Sequence, residues 1–480
     1  MRIVVVGDIG QPVYHVGDEA MTIASARFYA EHGHSPVLTT RDVQHSMRYI
    51  SGDYEYIPTL TVPHEPAERE QLFGFIERFL EHHIKEELPE WAGHWGITWE
   101  RIDEFITAIS SCDGVHISGG GNLNSRYGWL LFERAIIALI ARHRGIPLVV
   151  TGQSFGPILS PTDAAILEHL IRSASLSAVR ESGSFTWSLN HDLLSLYTGD
   201  DALLFEPGAL DLEYPVPYDI PELPERYICV TLNELNDSQA RVLAQLLDEC
   251  ARSYDCSTVF LPHMGDPNQI RDGLNAEGTG DAAIHARVAH FMSTSSVQLP
   301  IVHADTAVRV HSGALLNLSS RYHPMVFSMA AAVPAVLLAP DVFTVQRGGG
   351  AMELYGMQHA VLPLEMISTP LASMLISSVM AERVREALTS ARDSIVEHVS
   401  MVHEAALAVL QGQEEPTIPA LQPAPALTLL SEEWESVRSA AVDMLNNWSQ
   451  QAGFEWSLVD NMRSWNTLHR FSTLSPSSYT

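Results

Sequence analysis

Lysine is almost absent from this chain. Among 480 residues there are 28 basic side chains; Lys85 is the single lysine, which leaves 28 − 1 = 27 arginines. Lys85 stands in the charged stretch "HHIKEELPE". That shortage argues against chemistries built on a pocket lysine: the pyridoxal Schiff base, the Schiff-base aldolase and the P-loop phosphate grip. An anionic substrate would have to be held by arginine, helix N-termini and backbone N–H groups. Cysteine is scarce as well. Cys112, Cys229, Cys250 and Cys256 form no CxxC pair, so neither a disulfide-stapled secreted fold nor a structural zinc site is expected. No stretch reaches the roughly 18 apolar residues of a membrane helix, and "MRIVVVGDIG" reads as a first strand rather than a signal peptide. The expectation is a cytoplasmic protein without an integral membrane segment. Positive charge is lacking overall: 28 − 58 gives −30, a surface that repels nucleic acid and anionic lipid.

What is present is length and apolar material. At 480 residues and 46% apolar, the chain suggests two domains with additional segments. Strand-like runs alternate with helical ones, the pattern of parallel sheets covered by helices on both faces. In residues 1–205 the strands are expected at "RIVVVGD", "SPVLTT", "DGVHISGG", "IPLVVTGQSFGP", "LSAVRE" and "SLYTGDDALLF", with residues 51–110 a helical insertion. Residues 206–226 hold five prolines and read as a linker. A second set, 227–410, places strands at "YICVTLNE", "STVFLPHM", "ALLNLSS" and "PAVLLAP". After a Pro-rich break, residues 411–480 form a helical tail that would pack on the first domain or serve an oligomer contact. The expected fold is α/β: two doubly wound Rossmann-like domains in a GT-B-like arrangement, with a helical C-terminal extension and the site between the domains.

Several turns fall at strand C-terminal ends and would line that cleft. "HVGDEAM" opens the first helix; Asp18 either caps it or, with Glu19, favours a hydroxyl-bearing ligand over a phosphate there. "SGGGNLNSRYG" brings Gly119, Gly120, Gly121 and Asn122 to a strand-to-helix turn, where glycine serves close ligand approach or turn geometry alone. "TGQSFGP" adds Gln153. "SAVRESGS" places Arg180 and Ser182; the guanidinium either forks onto an anion or pairs with Glu181 or another acid. "SSRYHPMVFSMAAAVP" sets Arg321 and His323 beside Pro324, a residue suited to a helix start. Arg347, in "QRGGG", is expected on a flexible loop as a third anion contact. "LPHMGD" is a weak metal pattern, and no metal is expected.

In this order, "GDEAM", "SGGGNL", "GQSFGP", "SAVRESGS", "GDDALLF" and "SSRYHPMVFSMAAAVPAVLL" resemble the polysaccharide pyruvyl transferase family over roughly residues 1–360, the insertion excepted. The resemblance implies a GT-B-like fold and transfer of the pyruvyl group of phosphoenolpyruvate to sugar hydroxyls as a ketal, with phosphoenolpyruvate as donor substrate and no cofactor. It further implies that Arg180 and Arg321 bind the donor anion and that His323 is the general acid. Where the family usually carries Asn before the Gly-Asp of its first turn, this chain has His15, and the tail beyond residue 411 has no recognised counterpart. The rival readings are a GT-B nucleotide-sugar glycosyltransferase and a non-catalytic relative that binds a carbohydrate or a partner chain.

Overall fold

The first strand, β1 (Arg2–Ile9), is apolar on both faces: Ile3 and Val5 point into one core and Val4 and Val6 into another. A strand buried on both sides belongs inside a parallel sheet covered by helices. The computed structural model shows this, and describes residues 1–11, 13–50, 52–205, 221–266, 280–368, 370–414 and 416–452. After β2 (Tyr14–His15) come β3 (Ser35–Thr40), β4 (Glu55–Pro58), β5 (Gly114–Ile117), β6 (Gly120–Leu123), β7 (Leu148–Phe155), β8 (Leu176–Val179) and β9 (Leu196–Tyr197). They form a parallel sheet in the order β4-β3-β1-β5-β7-β8-β9, with β6 paired to β7.

The second sheet uses β10 (Tyr227–Thr231), β11 (Ser257–Phe260), β13 (Ser296–Gln298), β14 (Leu316–Ser319), β15 (Ala335–Ala339) and β16 (Val361–Pro363), while β12 (Met264–Gly265) stands apart. Its order is β13-β11-β10-β14-β15-β16, again all parallel. The C-terminal ends of the two sheets face each other. There β2 and β12 pair antiparallel, Met264 with His15 and Gly265 with Tyr14, and the Val16 N–H donates to His263 O at 3.0 Å. Arg27 grips Asp305 through two bonds of 2.9 Å, and the Ala304 N–H donates to Glu19 at 3.1 Å. One apolar core runs through both units.

Three local expectations change. Residues 51–110 are largely helical (Pro66–His82, Glu90–His94, Trp99–Ser110), but they also supply β4, whose Ile57 is buried in the sheet. "GGNL" is a strand rather than a turn into a helix, because residues lacking Cβ lie flat against Gln153 of β7. "QRGGG" is no loop: it lies within the helix Val342–Glu353, capped by Asp341 accepting from the Thr344 N–H at 2.8 Å. Its glycines serve packing. A Cβ on Gly348 would stand 2.6 Å from Leu337, and one on Gly350 2.4 Å from Glu181 across the cleft. That contact outweighs the roughly 1 kcal/mol that a glycine costs a helix interior.

The 29-residue helix Glu382–Leu410 returns from the second unit to the first sheet, where a Cβ on Gly114 would meet Leu410 at 2.9 Å. The tail helix Glu432–Ala452 packs instead on the second sheet, with Arg438 donating to Val361 O at 3.5 Å and Glu435 bound to His359 at 2.7 Å. Residues 206–220 of the expected linker and 453–480 of the tail lie outside the described residues. No described helix is long and apolar enough to cross a membrane.

Candidate active site

His323 is the first residue of the short helix His323–Ala330, which follows β14. Its ring leaves no room above Gly17 in the first helix (Val16–Glu31): a Cβ there would fall 1.8 Å from His323 Nδ1. The Nε2 atom lies 3.9 Å from Asp200 and has no hydrogen-bond partner among the described residues. Burial pushes the imidazole pKa down to about 3, against the pull of Asp200 and with the help of Arg180, Arg347 and His15. The unliganded site therefore holds His323 neutral.

Arg180 emerges from β8 and is fully buried. It donates to Asp200 at 2.5 Å and to Ser154 at 2.8 Å, with Glu181 at 3.8 Å, so the acid-pair reading of this residue holds. Its Nη2 nevertheless has no partner among the described residues, and the guanidinium lies 4.1 Å from the Tyr322 ring centre. Burial opposes its charge, but Tyr322, Asp200 and Glu181 hold the pKa above the ordinary value. Asp200 is held below the usual carboxylate range: burial works upward, and Arg180 and His323 overcome it.

Arg347 reaches the same place from the other unit. Its guanidinium is 5.1 Å from the Tyr322 ring and 4.6 Å from that of Phe343, and it passes so close to Gly121 that a Cβ there would meet Nη2 at 1.9 Å. No carboxylate pairs with it among the described residues, its Nε is unpartnered, and burial together with Arg180 lowers its pKa. Two guanidiniums therefore converge on one tyrosine ring whose own hydroxyl also has no partner among the described residues. Nearby, Asn122 Oδ1 and Gln153 Oε1 are buried without partners among the described residues, both 3.1 Å from a Cβ built on Gly120.

The other expected residues are committed elsewhere. Arg321 spends its Nε and Nη2 edge on Asp281, with bonds of 2.6 to 3.2 Å, and Asp281 also accepts from the His263 and Met264 N–H groups at 3.0 Å. Gly119 N–H donates to Asp201 at 2.6 Å, and Ser182 donates to Glu353 across the cleft at 2.5 Å. Asp18 makes no side-chain cap. It accepts from Gln11 at 3.2 Å with His15 at 3.8 Å, and burial raises its pKa. A hollow lined by Asp8, Gln11, Tyr14, His15, Glu19 and His45 opens beside it. In "LPHMGD", His263 is paired to His311 at 2.8 Å.

Sequence reasoning assigned no role to Asp200 or Tyr322, although both lie in motifs it singled out, "GDDALLF" and "SSRYHP". The signal was two adjacent acids after a strand and an aromatic ring between Arg321 and His323.

A sequence model described as polysaccharide pyruvyl transferase matches residues 15–342, most of the chain. The chain belongs to the polysaccharide pyruvyl transferase family. No protein of curated function matches it. Among solved structures it is similar to a UDP-GlcNAc 2-epimerase from Neisseria meningitidis bound to UDP-GlcNAc, with 11% identity, a TM-score of 0.52, and coverage of 86% of this chain and 100% of the other. It is also similar to S. aureus MnaA with UDP, at 9% identity and TM-score 0.50, covering 87% and 99%. These likenesses establish the GT-B-like fold of this family member.

Proposed function

We propose that the protein transfers the pyruvyl group of phosphoenolpyruvate to two hydroxyls of a sugar-containing acceptor as a ketal. The observation that carries this reading is the pair of guanidiniums, Arg180 and Arg347, meeting at Tyr322 with buried, unsatisfied N–H groups beside His323. Like charges so placed await an anion, and in a chain with one lysine the arginines must supply its contacts. Family membership supports the transferase class.

The chemistry follows from the groups present. A bound phosphoenolpyruvate would return negative charge beside His323 and raise its pKa, so the donor itself would arm the acid. His323 then delivers a proton to the terminal enol carbon as a first sugar hydroxyl adds to C2 and loses its proton. Cleavage of the C2–O bond expels phosphate, which takes up the first hydroxyl's proton, and leaves an oxocarbenium that the second hydroxyl captures, its proton returning to His323. Arg180 and Arg347 hold the departing phosphate or the carboxylate throughout. Arg321 takes a secondary place, because Asp281 already occupies one edge of its fork. Asp18, whose carboxylate already faces Gln11 and His15, suits a hydroxyl of the acceptor better than a phosphate.

The test is phosphate release from phosphoenolpyruvate across a panel of galactose-, mannose- and N-acetylmannosamine-containing acceptors, with mass spectrometry for pyruvyl addition. Thermal stabilisation by phosphoenolpyruvate and not by nucleotide sugars supports the reading. Stabilisation by nucleotide sugars alone sinks it in favour of a glycosyltransferase, and binding of sugars without phosphate release in favour of a carbohydrate-binding relative.

A further inference from the structure

Behind the cleft lies a second cluster that the proposed chemistry does not use. His116 from β5, Asp201 just after Asp200, and His403 from the returning helix Glu382–Leu410 bring one ligand atom each within 4.8 Å of the others. All three are buried, none more than 1% exposed. They are 201 − 116 = 85 and 403 − 201 = 202 residues apart, so no spacing in the sequence announces them.

Hydrogen-bond accounting leaves a conflict in the middle. His403 Nδ1 lies 3.0 Å from Val399 O, and a carbonyl can only accept, so Nδ1 carries the hydrogen and the neutral ring has a bare Nε2. That Nε2 faces Asp201 Oδ1 at 3.5 Å, and neither atom has a hydrogen-bond partner among the described residues. Two lone pairs opposed in a dry interior require something electropositive between them. A bridging proton would draw them to about 2.7–2.9 Å. Zinc bonds of about 2.0–2.1 Å to nitrogen and oxygen instead give a tetrahedral edge near 3.3–3.4 Å, close to what is seen.

The surrounding contacts already orient a ligand set. Asp201 Oδ2 is fixed by the Gly119 N–H at 2.6 Å and the Thr151 hydroxyl at 2.7 Å, which leaves Oδ1 to point inward. His116 Nδ1 lies 3.1 Å from the Tyr29 hydroxyl, and its Nε2 lies 2.6 Å from Thr151 Oγ1. Because Thr151 gives its one hydrogen to Asp201, its oxygen accepts from His116 Nε2–H, which leaves Nδ1, beside the Tyr29 hydroxyl, as the nitrogen whose lone pair an ion would take.

We propose that His116, Asp201 and His403 form a structural site for a divalent, zinc-like cation. Two imidazoles and one carboxylate, with no thiolate, suit a borderline metal. Deep burial on all sides makes the site structural rather than catalytic. Such an ion would fasten the returning helix to the first sheet one residue from Asp200, the carboxylate that Arg180 and His323 share.

The experiment uses the full chain produced in Zn²⁺-supplemented medium, gel-filtered in chelator and assayed for metal. One equivalent of Zn²⁺ per chain should be retained. His403→Gln should lower retention at least about tenfold, and His82→Gln, at a side chain 61% exposed, should not change it. Retention below a tenth of an equivalent in the native chain, or equal retention in His403→Gln, overturns the proposal. Should His403→Gln fail to fold, Co²⁺ in the native chain decides: four-coordinate visible bands support the site, and their absence removes it.

Discussion

The imidazole of His323 rests directly on the α-carbon of Gly17, a residue of the opposite unit. Any side chain at position 17 would have to displace the ring, since the clash at 1.8 Å is with the ring itself and the helix backbone cannot yield. Gly17→Ala is expected to lower kcat for phosphate release by about 100-fold, the scale of a misplaced reacting group. Gly93→Ala, where a Cβ meets nothing within 4 Å, should leave it unchanged. Equal activity in both variants would show that the ring position does not matter.

Arg347 and Arg321 should separate under mutation. Arg347 lacks an acid partner among the described residues and is penalised by burial and by Arg180. Arg347→Met should therefore keep or raise the melting temperature while weakening phosphoenolpyruvate binding by about 100-fold, the loss expected for charge-assisted bonds worth 1.5–3 kcal/mol. Arg321→Ala strands the buried Asp281 carboxylate and should cost about 2 kcal/mol of stability, read by urea unfolding. A reversed pattern would make Arg321 the principal anion contact.

The acid role proposed for His323 has a definite pH signature. With its pKa near 3 in the unliganded protein, the ring is neutral at ordinary pH, and only the donor-bound form would carry the proton. The kcat profile, which reports the bound complex, should fall as pH rises through the raised pKa, and His323→Asn should abolish that limb. Imidazole NMR of the free chain should show no protonation of this ring above about pH 5. A free-enzyme ring titrating at its ordinary value would contradict both expectations.

Acid should weaken the fold before it protonates most carboxylates. Burial holds His285 and His311 down to about 4, and His323 down to about 3, against an ordinary 6.5. Between those values the unfolded chain binds protons that the folded chain refuses. Stability therefore rises with pH up to about 6.5 and the contribution is flat above it, with a slope of at most ~1.4 kcal/mol per pH unit for each ring. The urea midpoint should fall from about pH 7 to about pH 5. A midpoint unchanged over that range would mean that these rings are not buried neutral.

The sheets were legible because strands such as Arg2–Ile9 and Leu148–Phe155 are continuous apolar runs, and parallel burial demands that pattern. Ser296–Gln298 and Val361–Pro363 were not, being three residues each and marked by no period. Gly120–Leu123 escaped because glycine signals a turn locally, while the neighbouring Gln153 decides otherwise in space. Arg180 and His323 could be placed at the cleft from their positions just after Leu176–Val179 and Leu316–Ser319. The preoccupation of Arg321 could not: Asp281 lies 321 − 281 = 40 residues away, and nothing in the sequence pairs them. Arg347 was assigned the right neighbourhood on the wrong backbone, since three glycines in a row imitate a loop while packing as a helix.

The small ladder between Tyr14–His15 and Met264–Gly265 has a consequence for how this cleft can move. It stitches the segment leading into Gly17 to the unit that carries His323, and the Val16 N–H bond to His263 reinforces the stitch. The helix that carries Gly17 stays packed on β1 and β3 of its own sheet, so separating the two halves would have to break this ladder. The fit of the His323 ring over Gly17 therefore lasts only as long as these two short strands stay paired.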